Sequence, residues 1–174
     1  LGARPIIAED LGEAAKEAAV LRKKFDIPGM SILQFAFGEN AITNGNLNSL
    51  DNEINVVYTG THDNDTTIGW FQTLPESVIS TQTATDIVRE RKRALKFLGT
   101  DGSEINWDLI SLALHSQANT VIFPLQDVLG LGTNARMNTP GTIEGNWQWR
   151  FKKNTLTSDI IERMRTLTEE SKRL

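Results

Sequence analysis

The sequence predicts an α/β fold built on a parallel sheet. Three observations carry that expectation. Four short apolar runs of strand length are spread along the 174 residues, segments of helical periodicity lie between them, and each run leads into a polar loop. Strand, helix and strand within about 30 residues is the βαβ pattern, which implies parallel pairing with a right-handed crossover.

The first run, Pro5-Ile6-Ile7-Ala8, stops at Glu9-Asp10 and reads as a buried strand with polar groups at its carboxyl tip. Over residues 13–25 the apolar positions Ala14, Ala18, Leu21 and Phe25 recur at helical spacing, and Pro28-Gly29 stops that helix. The second run spans residues 30–37. Residues 38–53 are polar and rich in Asn and Gly, a long loop. The third run, Ile54-Asn55-Val56-Val57-Tyr58, leads into Thr59-Gly60-Thr61-His62-Asp63-Asn64-Asp65.

Ala84, Ile87, Val88, Leu95 and Leu98 mark one helical stripe, with the charged run Arg89-Glu90-Arg91-Lys92-Arg93 read as a solvated face. Asn106 is expected to cap a largely buried helix through Leu109, Ile110, Leu112 and Leu114. Thr120-Val121-Ile122-Phe123-Pro124-Leu125 is the fourth run, with Pro124 marking its exit. A Gly-, Asn- and Trp-rich loop over residues 126–149 is long enough to be functional or to hold short helices. The last helix runs from Ser158, taken as its cap, to about Arg173, with Ile160, Ile161, Met164 and Leu167 on its apolar face.

Composition narrows the function classes. With 39% hydrophobic and 23% charged residues the chain reads as one soluble globular domain. A net charge of −4 and a pI near 5.2 argue against binding to nucleic acid or to an acidic membrane surface. Cysteine is absent, which removes disulfides, thiol nucleophiles and thiolate zinc sites. No run approaches the roughly 20 apolar residues of a membrane helix, and no signal-peptide pattern follows Leu1.

In parallel α/β folds the site lies at the carboxyl ends of the strands. Glu9 and Asp10 follow the first strand, and Asp63 and Asp65 the third. Carboxylates converging from different strand ends suit general acid/base and glycosyl-transfer chemistry, in which one carboxyl protonates the leaving oxygen and others stabilise an oxocarbenium-like centre. The plainer reading has Asp10 or Asp65 capping a helix or bracing a turn. His62-Asp63-Asn64-Asp65 also has the residue types of a metal site, but no downstream ligand cluster accompanies it. His115 falls in an apolar helix and reads as a hydrogen-bonded core residue. Trp147 and Trp149, with Trp70 and Phe71, offer aromatic faces suited to sugar rings. The alternative is that one of the paired Trp147 and Trp149 rings sits in the core and the other outside.

Three stretches resemble one family. They are Ala8-Glu9-Asp10-Leu11-Gly12 with Ile27-Pro28-Gly29-Met30 and Leu33-Gln34-Phe35-Ala36-Phe37, then Tyr58-Thr59-Gly60-Thr61-His62-Asp63-Asn64-Asp65-Thr66, and then Ala135-Arg136-Met137-Asn138-Thr139-Pro140-Gly141 with Gly145-Asn146-Trp147-Gln148-Trp149-Arg150. They are similar to the 4-α-glucanotransferases (amylomaltases, or disproportionating enzymes). The resemblance implies a (β/α)8 barrel of the α-amylase-like clan, no cofactor or metal, and transfer of α-1,4-glucan segments between malto-oligosaccharides with retention. It implies that Glu9 is the general acid/base after the fifth barrel strand and that Asp63, after the seventh, is the carboxylate that binds sugar and stabilises the transition state. It makes His62 a sugar-binding neighbour and places Asp10, Gly12 and Asn138 in substrate-contacting loops.

The family's nucleophile, an aspartate in an Arg-Ile-Asp-His motif, has no counterpart here. A complete barrel takes about 250 residues. The expectation is therefore a single partial catalytic domain, residues 1–174, holding barrel strands five to eight without the amino-terminal half and inactive alone. A non-catalytic α-glucan-binding half-barrel is the alternative. No nucleic acid or membrane partner is expected. The protein is expected in the cytoplasm, or in a plastid if a transit peptide precedes these residues.

Overall fold

The computed structural model describes residues 6–9, 15–38, 55–73 and 83–174. Within them lie helix α1 (Ala15–Lys24), strand β1 (Met30–Ile32), strand β2 (Val56–Tyr58) and helices α2 (Thr67–Gln72), α3 (Ala84–Leu98) and α4 (Ile105–Leu114). Strand β3 (Thr120–Ile122), a short α5 (Leu125–Val128) and α6 (Ser158–Glu170) complete the order. Among the described residues the sheet has order β1-β2-β3, and both pairings are parallel. The register is level: Ile32 faces Tyr58, and Tyr58 faces Ile122. The three strands thus end on one line, and the segments after them share one end of the sheet.

The apolar runs work as expected in the middle of this sheet. Val57 is fully buried, and Leu33, Phe37, Leu109, Ala113 and Ala118 pack around it. Burying a side chain of this size stabilises by about 1.5–3 kcal/mol. A second cluster joins Trp107, Ile110, Leu114 and Val128 to Ile160, Met164 and Leu167 of α6. Arg163 fastens that helix: its guanidinium lies 4.3 Å from the centroid of the Trp107 ring and donates to both carboxylate oxygens of Glu104, at 2.6 and 2.8 Å. Arg173 closes the chain with bonds to the carbonyls of Leu114 and Ser116.

Several expectations are corrected. Residues 6–9 form no strand. Ala8 N–H donates to the Pro28 carbonyl at 2.8 Å, but a parallel ladder needs repeated, evenly spaced bonds, and Ile6 and Ile7 are about half exposed. The second run gives only three strand residues before the chain tightens into a 3-10 turn at Leu33–Phe35. The apolar stripe of α1 is not covered among the described residues: Leu21 is 59% exposed and Phe25 61%.

The charged run of α3 is only partly solvated. Glu90 is buried and accepts from Trp70 Nε1, and Arg91 reaches the carbonyls of Trp70 and Thr73. Desolvation lowers the Arg91 pKa from its ordinary value. Asn106 lies inside α4 rather than at its cap, and Thr157, not Ser158, caps α6. His115 is exposed at the end of α4, with Nδ1 2.9 Å from the Ser111 carbonyl oxygen. Most of the loop expected over residues 38–53 lies outside the described residues. Among the described residues no helix is long and apolar enough to cross a membrane.

Candidate active site

The segment after β2 carries the densest chemistry. Thr61 and Asn64 close it on themselves: Asn64 Oδ1 accepts from both the Thr61 N–H and the Thr61 hydroxyl, each at 2.9 Å. Such side-chain turns let Thr and Asn replace missing backbone partners. Gly60 is required by close approach, since a Cβ there would lie 2.7 Å from Gln34 Nε2. Gln34, itself buried, donates that amide to the Asp65 carbonyl at 2.9 Å.

Asp65 does not cap α2. Thr66 does, accepting from the Gly69 N–H at 3.0 Å, while the Asp65 carboxylate accepts from the Thr66 N–H and the Thr133 hydroxyl. The ends of the segment are held by Asp127, which is 1% exposed. Its carboxylate accepts from the Thr59 hydroxyl at 2.6 Å and the Thr67 N–H at 2.7 Å. Burial pushes the Asp127 pKa up, with the hydrogen bonds from Thr59 and Thr67 opposing that rise. The Asp127 carbonyl is in turn gripped by Asn106 Nδ2 at 2.8 Å, which is why that asparagine is buried.

His62 and Asp63 are thus presented on a braced segment. Asp63 Oδ1 lies 2.6 Å from Asn138 Nδ2 and 3.3 Å from His62 Nε2. Arg136 donates to the Asp63 carbonyl and to the Asn138 carbonyl, both at 2.7 Å. Asn138 N–H donates to the His62 carbonyl at 3.1 Å, and the Trp147 ring lies 5.0 Å from the His62 ring. Two distant stretches therefore form one wall.

That wall faces a cleft of about 780 Å³ at the carboxyl ends of the strands, lined by Glu9, Tyr58, His62, Asp63, Arg136 and Trp147 and floored by apolar side chains such as Ile32 and Phe123. Burial raises the Tyr58 pKa, which keeps the phenol neutral. Of the residues singled out from sequence, Glu9, His62 and Asp63 share this cleft, and Asn138 reaches it through Asp63. Asp10 and Gly12 lie outside the described residues. Neither Trp147 nor Trp149 is in the core, and Trp70 and Phe71 belong to the packing of α2.

Among the described residues no group of three or more His, Asp or Glu is gathered to hold a metal ion. Sequence reasoning missed Asp127, Thr133 and Arg136. Arg136 stood inside a recognised stretch, and its place two residues before Asn138 was the available signal.

A braced wall of His62, Asp63, Asn138 and Arg136 over a cleft at the tips of parallel strands is the site arrangement of parallel α/β folds. Residues 1–157 match the family model described as 4-alpha-glucanotransferase, and the chain belongs to that family. It is 43% identical over 174 residues to a 4-alpha-glucanotransferase of Synechocystis sp., covering 95% of this chain and 30% of that protein. It is 46% identical over 157 residues to a chloroplastic/amyloplastic 4-alpha-glucanotransferase of Arabidopsis thaliana, covering 89% of this chain and 25% of that one. The structure of an amylomaltase from Streptococcus agalactiae in complex with acarbose superposes with a TM-score of 0.83 at 29% identity, covering 99% of this chain and 32% of its own. The chain thus spans about a third or less of the relatives it matches.

Proposed function

We propose that these residues are the carboxyl-terminal part of a (β/α)8 barrel, occupying strand positions five to eight with the first of them (residues 6–9) not laddered as a strand, and that the protein carrying them is a retaining 4-α-glucanotransferase. It works in the cytoplasm, or in a plastid as the Arabidopsis relative's name says of that protein. The observation that carries the reading is the meeting of Glu9 with the Asp63–His62 pair in one cleft.

In the proposed reaction Glu9 protonates the glycosidic oxygen as the C–O bond breaks, and the leaving glucan departs with that proton. A carboxylate supplied from outside these residues bonds to the anomeric carbon, since retention needs a nucleophile about 5–5.5 Å from the acid/base. The Asp63 carboxylate opposes the positive charge that develops on the sugar. His62 hydrogen-bonds the same ring. In the second step the 4-hydroxyl of an acceptor glucan attacks the anomeric carbon, Glu9 takes its proton, and the nucleophile is released. Asp10, Gly12 and Asn138 complete the substrate contacts.

Incubating the natural protein with maltotriose tests this. Glucose and longer maltodextrins are expected from the natural protein, and no glucose above blank from residues 1–174 alone. Failure of the natural protein to transfer would sink the assignment. Turnover by the isolated chain would sink the division of the site.

A further inference from the structure

Trp147 holds a backbone conformation that a bulky residue rarely adopts. Its φ is +62°, in the left-handed region, where Cβ crowds the following carbonyl. Among the described residues the other non-glycine positions with positive φ are Asp26, Asn154 and Lys172, all polar and in turns. Core burial does not explain Trp147, since it is 54% exposed.

The conformation is nevertheless held from both sides. Trp147 N–H donates to the Met137 carbonyl at 2.7 Å, and Arg150 Nη1 donates to the Trp147 carbonyl at 2.8 Å. Strain fixed by its surroundings, at a residue that fills no core, marks a functional position.

The held ring is aimed at the cleft. It rests 5.0 Å from His62 at an interplanar angle of 38° and lines the same cavity as Glu9 and Asp63. Its indole N–H has no hydrogen-bond partner among the described residues, whereas that of Trp70 is committed to Glu90. An apolar planar face with one free donor at its edge is complementary to a pyranose, which presents an apolar C–H face and a rim of hydroxyls.

We infer that Trp147 is a specificity-determining residue that stacks on one glucosyl ring of the α-1,4-glucan and keeps His62 between itself and Asp63. This rests on the glucanotransferase reading of the cleft. A ring bound there has hydroxyls facing His62 and Arg136, and its apolar face is removed from water by the indole.

The test is binding of maltoheptaose to the natural protein and to Trp147→Phe, Trp147→Leu and Trp147→Ala, by calorimetry and by tryptophan fluorescence. The Phe variant keeps a flat ring and is expected within about three-fold of the parent's Kd, whereas Leu and Ala lose about ten-fold, the worth of one good aromatic contact. The fluorescence change on binding should shrink in the Phe variant although Trp70, Trp107 and Trp149 remain in this part of the protein. If Leu binds as tightly as Phe, the ring is only filler and the proposal fails. If all three variants bind like the parent, it fails as well. If the parent itself does not bind maltoheptaose, the glucanotransferase reading falls first and takes this one with it.

Discussion

Asn138 and Asp63 are 75 residues apart in sequence, and the amide nitrogen of the first lies 2.6 Å from a carboxylate oxygen of the second. The bond fills one side of Oδ1, which His62 also approaches, and leaves Oδ2 without a partner among the described residues. The carboxylate is therefore held in one rotation with its free oxygen available to a ligand.

Removing that hold should slow the reaction more than it weakens binding. Asn138→Ala in the natural protein is expected to lower kcat for maltotriose disproportionation about 10²-fold, the scale of a small misplacement of a reacting group. Asn138→Asp sets a like charge against Asp63 and should lose more. Steady-state kinetics beside a far-ultraviolet circular dichroism spectrum separates this from unfolding, and an unchanged kcat would contradict it.

Glu9→Gln removes the proton donor and keeps the shape. Transfer from maltotriose should fall by about 10²–10⁴-fold. Fluoride leaves without protonation, so the initial fluoride burst from α-maltosyl fluoride should stay near that of the parent. Equal loss on both substrates would deny Glu9 the acid role.

Asp127 gives a stability prediction with a definite sign. Burial raises its pKa in the folded chain, so the folded form holds its proton more tightly than the unfolded form does. Its contribution is then most favourable below the ordinary aspartate range, near pH 4, and declines as pH rises through the raised value. Melting temperatures of the parent relative to Asp127→Asn, followed upward from below the ordinary aspartate value, should show the parent losing ground with rising pH. A pH-independent gap would be the wrong result. Asp127→Ala strands the Thr67 N–H and should cost about 1–3 kcal/mol at any pH.

Gly69→Ala sets two effects against each other. Alanine inside a helix is favoured over glycine by about 1 kcal/mol. Here its Cβ would sit 2.4 Å from Asp65 Oδ1 and 2.6 Å from Thr133 Oγ1, breaking the bond between those side chains. Overpacking of this kind costs about 1–3 kcal/mol, so the clash is expected to win and the melting temperature to fall. A rise would mean that Asp65 and Thr133 move apart freely.

The parts of the fold legible in sequence were those where one physical signal acts alone. The run around Val57 is buried on both faces, so a continuous apolar stretch identifies it. The periodicity of α6 is similarly clear because one stripe packs and the rest faces water. Misreadings fell where tertiary partners override local preference. Asn106 has the character of a cap but spends its amide on the Asp127 carbonyl, and Glu90 sits in a charged run yet is buried under Trp70. Within the site, Glu9, His62 and Asp63 could be singled out because their residue types carry chemistry. Asp127 and Arg136 could not, since bracing is visible only when two stretches far apart in sequence are brought together.

The level ends of β1, β2 and β3 make the cleft sensitive to chain length in a way that side-chain substitution does not test. Successive side chains in a strand point to opposite faces, so one residue inserted between Val56 and Tyr58 would exchange every face that follows. Thr59 would turn from Asp127, and the turn bearing His62 and Asp63 would leave from the wrong side of the sheet. The same insertion among residues 139–146, where the chain is largely exposed, would be absorbed locally. Tolerance to added length therefore differs sharply across a few ångströms of the same cleft, and the history of insertions in such chains should be confined to the loops.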